Sequence, residues 1–146
     1  MNSILPVGLD ATFPLRREEP ITIHTILNLF EKGSPDLLAY LAPALDFRID
    51  HYRDETDVSW QIARNLQEMG CMLQRLAQEV FPKGTKILGL DSRALGDGWF
   101  VTRFKQRFYY PVRESDCESL TYILSHEAGG RLDFFRETVT TVEPAS

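Results

Sequence analysis

An α+β fold, with helices on one face of a curved antiparallel sheet, is predicted by two kinds of periodicity that follow one another along the chain. Apolar residues recur mostly at helical spacing over residues 20–80, and they alternate in consecutive runs over residues 85–142. Short Gly- and Pro-marked links between the runs imply antiparallel hairpins. The 146 residues and 16.8 kDa suit one domain, and 43% hydrophobic residues supply a sizeable core.

Residues 1–19 show no sustained period and read as an extended arm, with Leu5, Val7, Leu9 and Phe13 available to dock on a neighbour. Pro20 suits a first helical turn, where its missing N–H is no loss, and Ile23, Ile26, Leu27 and Phe30 follow at i, i+3, i+4, i+7. Gly33 ends that helix. Ser34 and Pro35 then form an N-cap and first-turn pair for a second short helix through Leu41, which Pro43 ends. From Leu45 to Tyr52 the pattern alternates, with Leu45, Phe47, Ile49 and His51 on one face of a half-buried strand. After a polar turn, Ile62, Leu66, Met69, Leu73, Leu76 and Val80 predict a third and longest helix, capped by Asp57 or Ser59. Four strands follow, at Thr85 to Leu95, Trp99 to Tyr110, Glu118 to His126 and Arg131 to Val142. The domain is therefore expected over residues 20–142, with a tail at 143–146.

Sixteen Lys and Arg against twenty-one Asp and Glu give a net charge of −5, which disfavours a nucleic-acid partner. The N-terminus lacks the features of a secretory signal and no stretch reaches the ~20 apolar residues of a membrane span, so a cytoplasmic protein with no membrane partner is expected. Cys71 and Cys117 make neither a disulfide framework nor a metal spacing and read as reduced thiols. There is no P-loop, dinucleotide fingerprint, nucleophile elbow or zinc spacing, and no cofactor or metal is expected.

The order of elements, with the segments ITIHTILNLFEKGSPDLLAYLAP, DFRIDHY and YILSHEAGGRLDFFRETV, resembles the nuclear-transport-factor-2-like superfamily, which includes SnoaL-like polyketide cyclases and ketosteroid isomerases. The resemblance covers residues 20–142. It implies a cone-shaped, cystatin-like fold whose sheet wraps the helices around an internal pocket, often in a homodimer. It leaves chemistry open, because members range from isomerases, cyclases and dehydratases to non-catalytic binders. The isomerase residues do not carry over: Asp46 and Asp50 fall on the polar parity of the first strand, and the first helix has no tyrosine.

By parity His51 projects inward at a strand end, where an imidazole can serve as acid or base. The alternative is a strand-end histidine bonded to backbone or solvent. Phe100, Phe104 and Phe108 share a face with Thr102 and Gln106, whose polar groups require each other, water or a ligand as partners. Trp60, Ala63, Gln67, Gly70, Gln74 and Ala77 make a second stripe on the long helix. Tyr40, His51, Trp60, Gln67, Thr102, Gln106, Tyr122 and Phe135 are expected around one cavity. A β-bulge near Phe134 would turn Glu137 into that cavity with a raised pKa, but the reading preferred from sequence is an outward Glu137 paired with Arg103 or Arg107. The opposite sheet face carries Trp99, Val101 and Tyr109 between cations, and a two-fold contact is expected there, in which Arg103 and Arg107 meet Asp133 or Glu137 of a second copy. The function these features suggest is binding of a small, apolar or cyclic molecule, with cofactor-independent lyase, isomerase or cyclase chemistry through His51. A non-catalytic dimeric module with a self-filled pocket is the alternative.

Overall fold

The computed structural model describes residues 21–53 and 56–145. The arm expected at residues 1–19, with Leu5, Val7, Leu9 and Phe13, lies outside them. Helix α1 (Thr22–Glu31) buries Ile23, Ile26 and Leu27, the face its spacing predicts. A 3-10 helix (Pro35–Tyr40) follows, with the Ser34 side chain accepting a hydrogen bond from the Asp36 N–H and proline in its first turn.

Strand β1 (Leu41–His51) begins earlier than the alternation suggests, and Pro43 lies inside it. Proline has no N–H to give to a ladder, and the pairing of β1 is irregular here, with Leu41 opposite Leu132 but Asp46 opposite Phe134. Strand β2 (Ile62–Asn65) corrects the predicted start of the long helix. It pairs with β1 and buries Ala63 completely. Helix α2 (Leu66–Arg75) starts only after it, because the Asn65 side chain accepts from the Glu68 N–H while the Glu68 carboxylate accepts from the Arg64 N–H. Asp57 caps only a local turn, through the Ser59 N–H. A wider π-turn (Leu76–Val80) extends α2 to Phe81.

Strands β3 (Thr85–Gly96), β4 (Trp99–Tyr110), β5 (Ser115–Ala128) and β6 (Arg131–Pro144) form the meander. The six strands lie in the order β2-β1-β6-β5-β4-β3 in one curved, unclosed sheet. All neighbours are antiparallel except β1 and β6, which run parallel, a pairing that the long stretch of chain between them permits. The helices pack on one face. Ile23, Leu41, Ile123 and Leu132 close one end of the core, where Thr102 bonds Ser92 Oγ at 2.7 Å and Ser92 bonds His24 Nε2 at 2.8 Å. Burial holds the His24 pKa below its usual value, against the opposing charge of Asp91.

Two bulges in β6 decide which of its side chains face inward. Glu127 pairs with Leu132 but His126 with Phe134, which leaves Asp133 extra; Thr121 pairs with Val139 but Leu120 with Thr141, which leaves Thr140 extra. Each extra residue exchanges the two faces. The inward row therefore passes from Leu132 to Phe135, Glu137 and Val139 and then to Val142.

Candidate functional site

Between the helices and the concave face of the sheet lies a cavity of about 240 Å³. Its walls come from α1 (Ile26, Phe30), β1 (Phe47, Ile49, His51), the turn before β2 (Trp60, Gln61), α2 and its extension (Leu73, Leu76, Phe81), β4 (Phe104, Gln106, Phe108), β5 (Ser119) and β6 (Phe135, Glu137, Val139). Most of this surface is apolar. Phe47 and Phe135 stack at 4.1 Å, and Phe81 meets Phe30 and Phe108 edge-on at 5.4 and 5.0 Å.

Glu137 is the charged group that sequence reasoning placed wrongly. It is only 7% exposed and lines the cavity, so it reaches neither Arg103 nor Arg107, nor a second copy across the outer face. The first bulge causes this. Burial pushes its pKa up to about 7, against the smaller opposing effect of a hydrogen bond with the Thr121 hydroxyl. Near neutrality this carboxyl is thus divided between its acid and its carboxylate, the condition for both giving and taking a proton. The signal available in sequence was the conflict of parity between Leu132 and Phe135.

His51, Trp60, Gln106 and Phe135 line the same cavity. His51 stands on the strand next to Glu137, whose direct cross-strand neighbour is Ile49. Two residues of strand separate Ile49 from His51, about 7 Å. The Trp60 indole donates to the Asp57 carbonyl at 2.9 Å, and Arg75 lies 4.1 Å over its ring while pairing with Glu79 at 2.7 Å. These groups form a polar border to the apolar space. Gln106 accepts from the Thr85 hydroxyl at 2.6 Å.

The other four expected residues lie elsewhere. Tyr40 ends the 3-10 helix and is 38% exposed. Tyr122 projects from the outer sheet face, 43% exposed, because the inward positions of β5 are its odd neighbours Thr121 and Ile123. Gln67 is exposed because residues 60–65 are not helical, so it does not continue a stripe from Trp60. Thr102 is buried but does not line the cavity, and it has Ser92 as its partner. Among the described residues no cluster of His, Cys, Asp or Glu suits a metal ion, and both cysteines are free, Cys71 exposed and Cys117 buried. No helix among them is long and apolar enough to cross a membrane.

On the outer face, Trp99 meets the Phe134 ring edge-on at 5.2 Å and His126 at 4.8 Å. Lys105 and Arg107 pair within the chain with Glu118 and Asp116, at 3.6 and 3.7 Å. Asp133 accepts from His126 Nδ1 at 2.7 Å, which raises the histidine pKa.

No family model and no curated protein matches the sequence. Solved structures do. An NTF2-like protein from Anabaena variabilis is 11% identical, with 86% of this chain and 91% of that chain covered and a TM-score of 0.66. A candidate polyketide cyclase from Xanthomonas campestris is 12% identical over 80% of this chain and 86% of that one, with a TM-score of 0.62. An LEH-like epoxide hydrolase from M. tuberculosis is 15% identical over 81% and 79%, with a TM-score of 0.55. The chain has the nuclear-transport-factor-2-like fold.

Proposed function

We infer that the cavity binds a small, largely apolar molecule and that Glu137 exchanges a proton with it, in a cofactor-independent reaction of lyase, isomerase or cyclase type. The observation that carries this reading is the Glu137 carboxyl, 7% exposed and facing a largely apolar cavity of about 240 Å³, where burial pushes its pKa up to about 7. An open space of that size speaks against a pocket filled by its own side chains. The neighbours of the fold include an epoxide hydrolase and candidate polyketide cyclase and isomerase proteins, which supports small-molecule chemistry without choosing among these reactions.

In its acid form Glu137 donates to a substrate oxygen as charge develops there, and the resulting carboxylate recovers a proton as the product forms. His51, about 7 Å along the neighbouring strand, is the second proton carrier within reach of a ring-sized substrate. Trp60 and Arg75 form part of the polar border of this space. The protein acts in the cytoplasm as a homodimer through the outer sheet face, where Trp99, Val101 and Tyr109 are partly exposed and Arg103 has no ion pair among the described residues.

The test is a panel of cyclic ketones, enones and epoxides, incubated with the protein and followed by mass spectrometry. Turnover by the wild type with a loss of ~10²–10⁴-fold in Glu137→Gln supports the reading. Binding to none of the panel, or equal turnover by the variant, contradicts it.

A further inference from the structure

Beside Glu137, the cavity wall holds a second polar position that no side chain or backbone group among the described residues satisfies. Ser119 is 2% exposed and lines the cavity, and its hydroxyl oxygen has no hydrogen-bond partner. Directly opposite it on β4 stands Gln106, 4% exposed and lining the same space. The Thr85 hydroxyl donates to Gln106 Oε1 at 2.6 Å, which orients the amide and leaves Nε2 as a donor. One N–H donor and one hydroxyl that can donate or accept make a site for a carbonyl or hydroxyl oxygen.

Burial of a hydroxyl is not sufficient alone. Ser125 is equally enclosed and unpartnered, but it lies outside the cavity wall, between Phe100 and Phe135 on the flanking strands. Ser119 differs because it faces open space beside a second oriented polar group. A buried donor facing a largely apolar cavity favours a ligand that brings it a partner and disfavours one that does not.

The spacing of the two polar positions defines the ligand further. The Glu137 carboxyl lies close enough to the Thr121 hydroxyl to feel it, while that hydroxyl donates to the Phe104 carbonyl at 3.4 Å; Thr121 and Ser119 are successive inward residues of β5, so the two positions stand about 7 Å apart. Phe104 and Phe108 on β4 and Leu73 and Leu76 on the helix side bound the space beside them.

We propose that the ligand of this cavity is a two-ring-sized apolar molecule with two oxygen functions, one held at Glu137 and the other between Ser119 and Gln106. This rests on the reading of the cavity as a ligand site and adds the chemical class that it selects. A molecule with one oxygen fills the space but leaves Ser119 unpaired. One with two oxygens at the matching separation engages both positions.

The probes are 2-naphthol and 2,7-dihydroxynaphthalene, whose two oxygens match the strand spacing of about 7 Å. Dissociation constants are measured by titration calorimetry for the wild type, Ser119→Ala and Ser125→Ala. The wild type is expected to bind the diol about tenfold more tightly than 2-naphthol, a ratio worth about 1.4 kcal/mol. Ser119→Ala should remove the preference, and Ser125→Ala should keep it. Equal binding of both probes by the wild type, or a preference that survives Ser119→Ala, overturns the proposal while the reading of the cavity as a ligand site stands. If neither probe binds, both fall. The wild-type ratio decides even if a variant fails to fold.

Discussion

Replacing Glu137 by glutamine should remove a pH-dependent loss of stability whose size follows from its burial. In the unfolded chain the carboxyl ionises at the ordinary value of 4.5, and in the folded chain at about 7. Below the lower value both states carry a neutral acid and the full stability is present. Between the two values the folded chain keeps a proton that the unfolded chain releases, so stability falls as pH rises. Above about 7 the loss is complete. A gap of about 2.5 units corresponds to about 3 kcal/mol, or ~6–12 °C in Tm for a chain of this size. Glutamine keeps the shape and cannot ionise. The assay is urea or thermal denaturation of both proteins across this pH range. His24 and His126, which lie away from the cavity, and the titratable groups on its wall, His51, Asp57, Arg75 and Glu79, are common to both proteins, so their contributions cancel in the difference. The variant should match the wild type near the acidic limit and exceed it by about 3 kcal/mol above neutrality. Curves that stay parallel throughout would refute the reasoning.

Asn65→Ala removes the acceptor for the Glu68 N–H and should cost about 1 kcal/mol, measurable as a lower urea midpoint with an unchanged slope. Gly98→Ala should be far more damaging, because Gly98 has φ +85° and a Cβ there would stand 2.4 Å from the Glu127 carbonyl oxygen; circular dichroism melts of the variant test this. Light scattering at micromolar concentration should give twice the 16.8 kDa chain mass, and Trp99→Glu, on the outer face, should shift it toward the monomer.

The strand meander was legible in the sequence because β4 alternates without interruption: Phe100, Thr102, Phe104, Gln106 and Phe108 all face the helices. The first helix was legible for the corresponding reason at helical spacing. The start of α2 was concealed because Ile62 and Leu66 keep helical spacing across a strand, so only the cap at Asn65 distinguishes the two elements. That error carried Gln67 into the expected site. Glu137 was hidden by the bulge at Asp133, since parity counted from Leu132 reverses before it reaches position 137. Register is set by partner strands, and a single chain records it only as a conflict between Leu132 and Phe135. Ser119 lay in a polar stretch whose inward face depends on pairing with Gln106.

The most direct measurement is a carbon-13 NMR titration of the Glu137 side-chain carboxyl, alone and with saturating 2-naphthol. A midpoint of about 7 in the free protein that shifts when 2-naphthol fills the cavity beside the carboxyl is the predicted result. A midpoint in the ordinary carboxylate range that 2-naphthol leaves unchanged would contradict the placing of Glu137 at the centre of a ligand-binding cavity.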